Sequence, residues 1–153
     1  MTATNHAITG AAVGLLIKVP LLAIPAAVLS HFVIDALPHF KVRGEILERN
    51  RNKLFWLANL FDLGFAIMLF VILPIALRPF LPVWVTATCM AAGIVPDAIW
   101  FWRVYEEIKT KLVKPKGRVS ILHSRIQWSE TPPGIVVEVL WFVGMWGVLL
   151  ARS

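Results

Sequence analysis

Cysteine is nearly absent. The 153 residues contain one, Cys89, which excludes an intrachain disulfide and, in its apolar setting, reads as a packed and inert thiol. Charge is also scarce: 16% of residues are Asp, Glu, Lys or Arg against 58% hydrophobic, with a mean hydropathy of +0.74. Soluble domains carry roughly 25% charged residues, so the composition predicts an integral membrane protein. No basic residue precedes Lys18, so the start lacks the positive region of a cleavable signal peptide and is expected to be retained. There is no P-loop, no Ser-His-Asp order, no Cys-x-x-Cys, no repeat and no low-complexity segment. A net charge of +6 would suit nucleic acid on the basic face of a soluble module. Here the charge lies in loops between apolar runs, so membrane lipids, and no nucleic acid, are the expected partners.

Long apolar runs are what the chain has. Thr4 to Lys18 reads as a first helix with Gly10 and Gly14 at GxxxG spacing, a face that lets another helix approach closely. Its fifteen residues rise about 22 Å, short of a hydrocarbon core of about 30 Å, so it is expected to tilt, to re-enter, or to lie where the bilayer thins. Pro20 to Leu37 is a second helix with Pro25 inside it, and Pro38 ends it. Leu54 to Leu77 is the clearest span, with Asn59 and Asp62 its polar residues. After the Arg78–Pro82 turn, Val83 to Trp102 returns, interrupted by Gly93 and Pro96. Pro132-Pro133 opens a last helix, Gly134 to Leu150, whose one charge is Glu138. The expectation is all-α: a single membrane domain, residues 1–153, forming a bundle of four or five transmembrane helices with polar loops at about 39–53 and 103–131.

The most informative stretch is Leu29 to His39. On a helix His31 and Asp35 stand at i and i+4, on one face and within reach of a shared ion. Helical bundles assemble zinc, manganese and iron sites from such nitrogen and oxygen donors. The alternative is a His-Asp hydrogen bond that steadies packing.

Topology decides which other groups can join them. Of the 15 Lys and Arg, five lie in loop 39–53 and seven between Arg103 and Arg125. The positive-inside rule therefore places both loops and the N-terminus in the cytoplasm of an inner-membrane, multi-pass protein. At about 1.5 Å per residue, Asp35, Asp62, Asp97 and Glu138 all fall roughly 5–12 Å below that surface. Carboxylates this close repel one another unless a cation lies between them. With His6, His31 and His123 they form a candidate cluster. Each has a second reading. His6 and Asn5 could be a solvated helix start, and Asp62 could pair with Asn59 or a loop arginine. Asp97 could cap a helix after Pro96, His123 could be a surface histidine, and Glu138 could answer a helix dipole. His39, beside Pro38, is the least defined.

The string Leu29-Ser30-His31-x-x-x-Asp35-x-Leu37 resembles the Ser-His-x-x-x-Asp-x-Leu motif of the bacterial membrane-bound metal-dependent hydrolases, the YdjM-like family. His6 before a small-residue helix, Pro96-Asp97 after a glycine-containing apolar segment, and His123-Ser124 in a basic loop are similar to that family as well. The chain departs from its pattern at Ile99, where the family has a second acid, and at Arg118, where it has a histidine. The His-x-x-x-Asp segment also comes early here and late there. The resemblance implies a metal-dependent hydrolase.

The expected function is thus metal-assisted hydrolysis at the level of the cytoplasmic headgroups, with a lipid or other phosphoester as substrate. Its cofactor would be a divalent metal, zinc or manganese. His6, His31, Asp35 and Asp97 are the first-choice metal ligands. Asp62, Glu138 and His123 are further ligands, orienters or the general base. Lys116, Arg118 and Arg125 could meet a phosphate. The alternatives are an ion or metal carrier, or a protein whose polar cluster serves packing alone.

Overall fold

A computed structural model describes residues 1–40, 53–110, 117–118, 121, 125–126 and 131–153. Its regular elements are all helical: α1 (Ala3–Ile17), α2 (Pro20–Asp35), α3 (Lys53–Ala76), α4 (Val83–Thr110), a 3-10 turn (Pro132–Gly134) and α5 (Ile135–Arg152).

Each boundary has a local cause. The Thr2 hydroxyl accepts from Asn5 N at the start of α1, and at its end Lys18 turns left-handed (φ 60°) and donates its N–H to Gly14 O. Pro20 stands in the first turn of α2, where its missing N–H costs nothing. Three prolines, Pro25, Pro74 and Pro96, lie inside helices. The helix continues through Pro96, and α4 runs on past the expected Trp102 to Thr110. A proline removes one helical hydrogen bond, and the turns on either side still close. Much of the expected second loop lies outside the described residues, but its first part, 103–110, is helical.

Among the described helices α1 stands in the middle, packed against α2, α3, α4 and α5. Small residues make this possible. A Cβ on Gly10 would overlap the backbone carbonyl of Cys89, and one on Gly14 would press on the Cys89 side chain. Cys89 itself is buried. Ala7, Ile8, Ala11, Ala12 and Leu15 of α1 join Leu69, Leu73, Met90 and Leu149 in one apolar cluster. A second cluster joins Ala23 and Ala27 of α2 to Val85, Cys89 and Ala92 of α4.

The outer surface is apolar and the centre carries polar groups. Leu21, Phe61 and Leu150 are 81%, 76% and 71% exposed, whereas Thr4, Asn5, His6 and Thr9 are buried. Two segments, Trp56–Ala76 and Pro132–Arg152, are long and apolar enough to cross a membrane. The other apolar helical segments, Ala3–Ile17, Pro20–Asp35 and Val83–Ala98, are shorter.

Candidate metal centre

Three helices bring the four first-choice ligands together. His6 lies in the first turns of α1, His31 and Asp35 in the last turns of α2, and Asp97 midway along α4. Because α1 and α2 form an antiparallel hairpin, the start of one meets the end of the other. The His6 and His31 rings stack, with centroids 3.9 Å apart and an interplanar angle of 19°. Asp35 spans both: Oδ1 lies 3.1 Å from His6 Nε2, and Oδ2 3.3 Å from His31 Nε2. Asp97 does the same, with Oδ2 3.6 Å from His6 Nε2 and Oδ1 3.7 Å from His31 Nε2. His6, His31 and Asp35 have no exposed side-chain surface, whereas Asp97 is 26% exposed and gives the cluster its opening.

Protonation follows from the hydrogen bonds. His31 Nδ1 lies 2.8 Å from Gly93 O. A carbonyl can only accept, so Nδ1 carries the hydrogen and neutral His31 turns a lone pair, at Nε2, toward two carboxylates. Acceptors that face one another need a cation or a proton between them. Neither ring nitrogen of buried His6 makes a hydrogen bond of acceptable geometry. A buried imidazole without such bonds is costly, and coordination would satisfy it.

The donor set fits a divalent ion. Ligand atoms of His6, His31 and Asp97 all lie within 4.8 Å of one another. Neighbouring donors around a tetrahedral zinc, bonded at 2.0–2.1 Å, stand about 3.3 Å apart, in line with nitrogen–oxygen separations of 3.1 to 3.7 Å here. Asp35 also has a cationic neighbour in the chain itself, since the Met1 amino group is 2.6 Å from Oδ1. An ionised carboxylate oxygen can serve that group and a further partner.

Backbone contacts hold the ligands in place. A Cβ on Gly93 would collide with His6 O, so glycine at this position sets the spacing of α1 and α4 while its carbonyl orients His31.

The remaining candidates have other contacts. Asp62 of α3 accepts from Ala3 N at 2.7 Å and Thr4 N at 3.0 Å, and so caps α1 from a neighbouring helix. Of the roles open to it, orienting His6 through its helix is the one these bonds serve. Glu138 is buried in the first turn of α5. Its Oε1 accepts from Phe40 N at 3.0 Å, and its backbone carbonyl accepts from Asn5 Nδ2. His39 is clamped beside it: Thr131 N donates to His39 O, and a Cβ on Gly134 would meet the His39 backbone. Burial pushes the His39 imidazole below its ordinary value. All four acids, Asp35, Asp62, Asp97 and Glu138, therefore gather around the first turns of α1. His123 and Lys116 lie outside the described residues.

Sequence reasoning missed the Gly93 carbonyl and the α1 cap. Gly93, three residues before Pro96, carried a signal for the first: a glycine near a helix proline marks exposed backbone. Nothing local marked the second.

Comparison with known family models, curated proteins and solved structures gives no match.

Proposed function

We propose that the chain is a membrane-embedded, metal-dependent hydrolase of the YdjM-like kind, acting at the level of the cytoplasmic headgroups on a phospholipid or another phosphoester. The observation that carries this reading is the His6–His31–Asp35–Asp97 group, in which two buried imidazole Nε2 atoms lie 3.1 to 3.7 Å from the oxygens of two carboxylates. The apolar outer surface and the two long apolar helices support placement in a membrane as a multi-pass protein. The basic loops support a cytoplasmic N-terminus.

In this reading His6, His31, Asp35 and Asp97 hold the ion. A bound zinc or manganese supplies Lewis acidity, lowering the pKa of a water toward about 7 and polarising the scissile bond. The chain's own groups supply the rest. Gly93 O keeps His31 in the tautomer with its hydrogen on Nδ1 and its lone pair on Nε2, and Asp62 fixes the start of the helix that carries His6. Asp97, the one partly exposed ligand, marks the side from which a headgroup arrives. Arg118 and Arg125, with Lys116, neutralise its phosphate. Glu138 and His123 are the acid–base candidates.

The test is metal content by elemental mass spectrometry of detergent-purified protein without a His tag, wild type beside a folded His31→Ala/Asp35→Ala variant. Stoichiometric zinc or manganese that the variant loses supports the reading and leads to phospholipid hydrolysis assays, in which Asp35→Asn is expected to abolish turnover without unfolding. Substoichiometric metal in both would leave a packing cluster as the better account.

A further inference from the structure

Two features of the cluster bear on how many ions it takes. The first is the direction of the lone pairs. An imidazole donates in the plane of its ring, and the planes of His6 and His31 are within 19° of parallel at a centroid spacing of 3.9 Å. Lone pairs in stacked planes do not converge. A single ion shared by both rings would sit roughly 2 Å out of each plane, about the length of the bond it has to form. An ion in the plane of each ring meets no such conflict, and the two ions would then stand about as far apart as the rings. Paired catalytic metals are commonly about 3.5–4 Å apart.

The second feature is how the carboxylates divide. Asp35 gives one oxygen to His6 and the other to His31, and Asp97 repeats the division from its own helix. Each imidazole Nε2 is thereby accompanied by one oxygen from Asp35 and one from Asp97. Two carboxylates that each straddle two nitrogen donors form the pattern of bridging ligands.

From these features we infer that the site is dinuclear. One divalent ion is held by His6 Nε2, Asp35 Oδ1 and Asp97 Oδ2. Its partner is held by His31 Nε2, Asp35 Oδ2 and Asp97 Oδ1. Each ion then has three protein donors and keeps positions open, as catalytic rather than structural metal sites do. Two divalent ions carry more positive charge than two carboxylates cancel. The excess favours an anionic ligand across the pair, and a phosphoester has the charge and the oxygens to bridge it. This inference rests on the proposed metal centre and adds its nuclearity.

The experiment uses the full chain, purified in detergent without a His tag, stripped with chelator and reloaded with Mn2+ alone. Bound metal is counted by elemental mass spectrometry, and the same sample is examined by low-temperature electron paramagnetic resonance. The expected result is about two equivalents of Mn2+ per chain with the exchange-coupled spectrum of a metal pair. His6→Ala, which leaves the His31 side intact, is expected to halve the bound metal and give the spectrum of isolated Mn2+. One equivalent with an isolated signal in the wild type would overturn the pair and leave a mononuclear centre standing. No bound Mn2+ in folded protein would overturn the metal centre itself.

Discussion

The two halves of α1 are held by different forces. From Thr4 to Thr9 the helix is tied by directional bonds: Asp62 caps its start, Asn5 donates to Glu138 O, and Thr9 accepts from Trp141 Nε1 at 2.8 Å. From Gly10 to Leu15 there is close apolar packing, with Gly10 and Gly14 against Cys89. The packed half brings the helices together, and the bonded half aims their side chains. The candidate metal centre lies at the bonded end, where hydrogen bonds as well as shape orient the side chains.

The comparison can be broken from the packed side first. Gly10→Ala drives a methyl into the Cys89 carbonyl and is expected to cost about 1–3 kcal/mol or more, as overpacking does. Thermal unfolding in detergent should show a lowered midpoint, and an unchanged midpoint would mean that α1 and α4 are not in this contact. On the bonded side, Asp62→Ala removes a charged cap and should cost roughly 0.5–2 kcal/mol in the same assay. Because Asp62 orients His6 without touching it here, this variant is expected to bind metal more weakly rather than to lose it; complete loss in folded protein would make Asp62 a ligand. Trp141→Phe deletes one hydrogen bond to Thr9 and keeps most of the apolar ring, for an expected loss of about 0.5–1.5 kcal/mol. The smallest effect has the opposite sign. A Cβ on Gly147 meets nothing within 4 Å, so Gly147→Ala should stabilise α5 by about 0.5–1 kcal/mol through helix propensity. Destabilisation there would show that another surface covers that face of α5.

Much of the architecture was legible before any contact was known. Helix ends at Pro20, Pro38 and Pro132 follow from proline's fixed φ and missing N–H, and the gathering of Asp35, Asp97 and Glu138 at one end follows from counting residues along helices. At Pro96 the sequence left continuation open, because a proline weighs against a helix locally while the neighbouring turns still close, and the helix runs through it. Asp62 was singled out as a carboxylate needing a partner, but its N–H partners on Ala3 and Thr4 are more than fifty residues away and left no local trace.

The sequence by itself determined the all-helical class, the order of the described helices and their apolar character, and the position of each acid and histidine along its own segment, since these depend on composition and a constant rise per residue. Tertiary structure alone decided how each helix is turned about its axis. That rotation stacks the His6 ring on His31, makes Asp35 and Asp97 straddle both rings, and places Gly93 O behind His31. It is set by which small residues let the backbones approach, a property of the packed pair of helices that neither helix carries alone.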